Sequence, residues 1–111
     1  AHLGVQFHIF ERGHQRRAGA GTEVGDVERD VAWVVPAVLA EDGCIEYGAA
    51  VDAAPAPAFQ TPCGPDTFVV IEKWASMDAL KAHAAAPHMA SYAAKTREFI
   101  ASRTLHLLSP A

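Results

Sequence analysis

The chain has 111 residues, half of them hydrophobic and a fifth charged; that suffices for one domain with a single core and excludes wholesale disorder. Its net charge of −4 lacks the dominant basic field of a nucleic-acid binder. Two cysteines, Cys44 and Cys63, are too few for a disulfide framework, and no apolar run approaches a membrane span, so a reduced cytosolic protein with free thiols and no membrane insertion is expected.

Residues Leu3–Phe10 alternate, with Leu3, Val5, Phe7 and Ile9 on one face, which predicts a half-buried strand. The opposite face carries His8 and Phe10, neither a usual choice for water. Residues 11–25 are polar and glycine-containing and read as a long loop; within it Arg12, His14, Arg16 and Arg17 form a solvated basic turn. Asp26 is placed to cap a helix to Ala40, on which Val27, Val31, Val34, Val35 and Val38 recur at helical spacing. Pro36 should kink or restart its last turns, and Gly43 is placed to end it.

A second strand is expected over Cys44–Val51, with Ile45, Tyr47, Ala49 and Val51 on one face. The segment Asp52–Asp66 is rich in proline and alanine, too long for a hairpin turn, and apolar at Phe59. Thr67–Trp74 is a third strand. Because Phe68, Val69, Val70 and Ile71 are consecutive and apolar, both of its faces must be covered. Ser76 caps a short helix with Asp78 in its first turn, and Pro87 opens another. The buried stripe of that second helix comprises Met89, Tyr92, Ala93, Thr96, Phe99 and Ile100. Thr104–Leu108 supplies a fourth strand.

The order β-α-β-β-α-β predicts an α+β, ferredoxin-like antiparallel sheet with its helices on one face, all within a single domain over residues 1–111. Two helical units cover one face only. A second sheet from an identical subunit is the simplest cover for the other, so a homodimer is expected, its sheets facing each other across a pocket.

The segments VVPAVLAEDGCIEY (Val34–Tyr47), Val51–Asp52, Phe59–Gln60, IEKWAS (Ile71–Ser76), LKAH (Leu80–His83) and PHMASY (Pro87–Tyr92) together resemble the antibiotic biosynthesis monooxygenase superfamily of dimeric α+β barrels, and within it the small quinol monooxygenases. The resemblance runs from the first helix onward and omits the stretch between the first strand and that helix. It implies dimerisation through the sheets, a cavity between sheet and helices, and oxygenation of a quinol or other electron-rich aromatic by O₂ with no metal, flavin or other cofactor.

Candidate site residues follow from position and chemistry. Trp74 shares a strand face with Phe68, Val70 and Glu72; it is either a stacking surface for a planar substrate or a core aromatic. Glu72, a carboxylate among apolar neighbours, is a candidate general base or a structural hydrogen-bond partner. His83 lies at the buried edge of the short helix. His88 starts the next helix, where the dipole favours a neutral ring able to accept a proton. The two histidines are not at i, i+4 spacing and Pro87 stands between them, so a metal pair is not expected. Tyr47 and Tyr92 are candidate phenol donors, and His8 would face the same cavity as Trp74 if the strands lie side by side.

Three other activities stay open alongside quinol oxidation. A non-catalytic dimer holding a small aromatic is one, and isomerisation of a small metabolite another. Haem degradation is disfavoured, because relatives with that activity use an asparagine in the first strand and a histidine in the last helix. This sequence has no asparagine, and no histidine near Ala93.

Overall fold

The structure, a computed structural model, describes residues 3–12 and 25–111, with the side chains of 3–8, 10–12 and 25–30 outside that description. The segment 13–24, including His14, Arg16 and Arg17, lies outside the described residues. The elements are β1 (Leu3–Arg12), α1 (Gly25–Leu39), β2 (Cys44–Ala50), β3 (Thr67–Trp74), α2 (Met77–Ala84), α3 (Pro87–Thr96), a 3₁₀ turn over Arg97–Phe99, and β4 (Ile100–Leu107). The strands form one antiparallel sheet in the order β2-β3-β1-β4, the expected α+β ferredoxin-like arrangement. Among the described residues no helix is long and apolar enough to cross a membrane.

Burial along β3 alternates without exception. Phe68, Val70, Glu72 and Trp74 are buried, while Thr67, Val69, Ile71 and Lys73 are intermediate. Phe68, Val70 and Trp74 join Val31, Val34 and Val38 of α1, Tyr47 of β2, Tyr92 of α3, and Phe99 in one core. Each such valine, taken out of water, contributes roughly 1.5–3 kcal/mol. Trp74 and Glu72 lie under the helices, so they do not line a space between two facing sheets.

Four further expectations change in detail. The helix runs through Pro36 to Leu39 as one element and does not restart there; Pro36 lies on the exposed side, where water reaches the carbonyl that lost its donor. A bulge in β2 pairs Cys44 with Trp74 and Glu46 with Lys73. The extra residue, Ile45, is left exposed, and Cys44 moves onto the core side, reversing the simple alternation. In the last helix the stripe stops at Thr96: Ala93 is exposed, Phe99 belongs to the 3₁₀ turn, and Ile100 begins β4. The fourth strand therefore starts four residues before Thr104, because β1 continues to Arg12 and pairs with Ile100.

Candidate active site

The turn between α1 and β2 sets the geometry. Gly43 takes φ +84°, and its carbonyl accepts a hydrogen bond from Ala75 N–H at 2.8 Å. A Cβ on residue 43 would stand 2.6 Å from that of Ala79. Only glycine allows both the left-handed conformation and this close seat of the turn against α2. Glu41, at the start of the turn, is thereby held beside the last turn of α2.

Two histidines meet its carboxylate. His83 Nδ1 lies 2.8 Å from Glu41 Oε2, and His88 Nε2 lies 2.9 Å from the same oxygen. The i, i+4 spacing rule gives no sign of this convergence of the two histidines. Helix α2 ends with backbone turns at Ala85 and Ala86, Ala86 adopts an extended conformation (ψ 141°), and Pro87 opens α3. The chain thus doubles back, and residues five apart in sequence converge on one oxygen. A proline at the first helical position, where no backbone donor is needed, makes that break inexpensive.

Behind His83 stands a second carboxylate. Its Nε2 is 3.7 Å from Glu72 Oε1, and that oxygen accepts a hydrogen bond from Trp74 Nε1–H at 3.0 Å. Glu72 is 1% exposed, Trp74 0% and His83 4%. The His83 ring lies 4.6 Å from the Trp74 ring, centroid to centroid, at 38°, and 5.6 Å from that of Tyr47 at 60°. Trp74 therefore packs on the imidazole and anchors Glu72. At the outer end the cluster opens: the side chains of Glu41 and His88 are 15% and 26% exposed. Since the Glu41 carboxylate only accepts, each histidine nitrogen facing it carries a hydrogen in the neutral ring.

Burial holds the Tyr47 phenol far above its ordinary range, with Glu72 and then Tyr92 adding to the shift. Tyr47 is therefore a neutral hydrogen-bond donor at any working pH. Burial likewise pushes the Cys44 thiol up, helped by Glu41 and Glu72; both cysteines are free. Along β2 from Tyr47, an open apolar groove of about 320 Å³ lies between α1 and the strand, lined by Val31, Ala32, Val35, Ala49, Ala50 and Val51. Its size is at the lower end of small-molecule sites, about 300–1,000 Å³.

Of the residues expected from sequence, Glu72, Trp74, His83 and Tyr47 come together, with His88 joined to them through Glu41. Phe68 is core and Tyr92 is buried beside Tyr47. His8 pairs through its backbone with Val70 and Leu105, and its side chain lies outside the described residues. Glu41 was not among the expected site residues. Its signal was the Glu-Asp-Gly turn closing α1, which reads as a solvated helix end until α2 is placed against it.

The family profile described as antibiotic biosynthesis monooxygenase matches residues 18–95. Over 79 residues the chain is 38% identical to an Escherichia coli K12 protein named probable quinol monooxygenase YgiN, covering 71% of this chain and 75% of that one. PA3566 from Pseudomonas aeruginosa superposes with a TM-score of 0.74 at 17% identity, covering 100% of this chain and 96% of its own. Rv0793 from Mycobacterium tuberculosis gives 0.69 at 21% identity, covering 96% and 93%. At those identities the two structures speak for the fold alone.

Proposed function

The chain belongs to the antibiotic biosynthesis monooxygenase family, and from that premise we propose that it oxidises a quinol or related electron-rich aromatic with O₂, with no cofactor supplying electrons. The reading rests on one observation above the others: two imidazoles share the Glu41 carboxylate. A base formed by this cluster takes a hydroxyl proton from the quinol, and the carboxylate stabilises the imidazolium that results. The electron-rich anion passes an electron to O₂. Recombination places one oxygen atom on the ring, and the other leaves as water, so that a hydroquinone and O₂ give a hydroxyquinone and H₂O. Tyr47, a neutral donor whose ring lies 5.6 Å from that of His83, orients the substrate oxygen. The groove supplies apolar surface for a flat ring, and Trp74 with Glu72 holds His83 in position.

The protein acts as a homodimer in this reading. The sheet face away from the helices carries Val69 and Ile71 with Gly48 and Ala50 opposite them, an apolar surface suited to a second copy. The activity is tested by O₂ uptake from a panel of hydroquinones, using flavin-free protein treated with a chelator. Uptake above the autoxidation rate is expected; no excess with any quinol would overturn the proposal.

A further inference from the structure

We propose that Glu41, His83 and His88 also form a binding site for one divalent transition-metal ion of the zinc type. Their donor atoms, one carboxylate oxygen and two imidazole nitrogens, all lie within 4.8 Å of one another. Two nitrogens and one oxygen suit zinc, cobalt or nickel and not magnesium or calcium, which prefer oxygen alone. Bonds of about 2.0–2.2 Å to a tetrahedral ion would set neighbouring donors about 3.3–3.5 Å apart. The contacts at 2.8 and 2.9 Å therefore need to open by about 0.4–0.7 Å when the ion replaces the shared hydrogens.

The surroundings are those of a supported site. When His83 binds through Nδ1, its proton moves to Nε2, which already faces Glu72 at 3.7 Å. Glu72 is in turn fixed by the Trp74 indole. A buried carboxylate behind a ligating imidazole is the usual means of fixing its tautomer and raising its basicity. The cation also offsets the charge of two carboxylates held in a largely buried cluster. His88, a quarter exposed, leaves an approach from solvent and room for water as a fourth ligand.

This inference goes beyond the proposed oxidation, and the two are alternative states of one cluster. A bound ion takes the nitrogen of each imidazole that faces Glu41 and sends the ring hydrogen to the other nitrogen, so neither neutral ring can then take the quinol proton. Binding is read without turnover, so either reading can fail alone.

The full chain, stripped with chelator, is titrated with zinc by calorimetry and with cobalt by visible absorption. One ion per chain is expected, with the d–d bands of tetrahedral cobalt. Glu41→Gln and His88→Gln, checked as folded by circular dichroism, should each weaken binding by at least about 100-fold. Glu72→Gln should weaken it by about 10–100-fold. Absence of stoichiometric binding by the folded wild type would overturn the proposal, as would unchanged affinity in both Glu41→Gln and His88→Gln.

Discussion

Two carboxylates, 11 residues apart, do similar things with different partners. Asp52 accepts backbone N–H bonds from Cys63 at 2.8 Å and Gly64 at 2.9 Å, and a longer one from the side-chain Nε2 of Gln60 at 3.4 Å. Glu41 accepts from two histidines at nearly the same distances. The partners of Asp52 are mainly permanent donors, and its only product is a fixed loop. Those of Glu41 are rings that gain and lose protons, so the same acceptor geometry becomes a site for chemistry. What separates structure from function here is whether the donors can change state.

The sharpest break between the two regions is kinetic. His83→Gln should lower quinol oxidation by about 10²–10⁴-fold, while Asp52→Asn should leave it within the scatter of wild type. Oxygen-electrode rates on both variants check this, and equal losses would erase the distinction. Trp74→Phe comes next. It keeps most of the ring volume but removes the N–H that holds Glu72, at a cost of about 1–3 kcal/mol, read by urea unfolding.

The Asp52 loop should respond to pH instead. Its backbone donors favour the ionised carboxylate and lower its pKa in the folded chain. A depressed folded pKa gives stability that is present above the unfolded value, about 3.9, and is lost as pH falls through the folded one. The difference in melting temperature between wild type and Asp52→Asn should therefore be full near neutrality and close in strong acid. A gap that persists at low pH would assign the effect to another cause. The smallest effect belongs to Phe59, 90% exposed on this loop. Phe59→Ser should change the stability of the isolated subunit by no more than about 0.5 kcal/mol. A larger drop in the melting temperature, dependent on protein concentration, would mean that a second copy covers the ring.

The regions differ also in how far they could be read from sequence. The β3 strand was legible to the residue, because a run of apolar side chains between Asp66 and Ser76 has one reasonable conformation. Cap and break residues placed α2 and α3 for the same local reason. The β2 faces were not legible, since the Ile45 bulge is imposed by pairing with β3 and leaves no mark in alternation. The start of β4 was hidden likewise: Ser102 and Arg103 are polar and exposed, and only the register of β1 recruits them. In the site, Glu72, His83 and His88 could be named, but Glu41, the partner of both histidines, could not. Its role depends on contact between segments 42 residues apart, and such contact is a property of the fold.

Gly43 extends that dependence. It has no side chain to give the site, yet the approach of the Glu41 turn to α2 is set by the absence of one. A survey of this protein confined to groups that touch substrate would pass over it. A single methyl there would move an acceptor away from both imidazoles while every chemically active group remained intact. The sequence freedom of this site is limited by a residue that takes no part in its reactions.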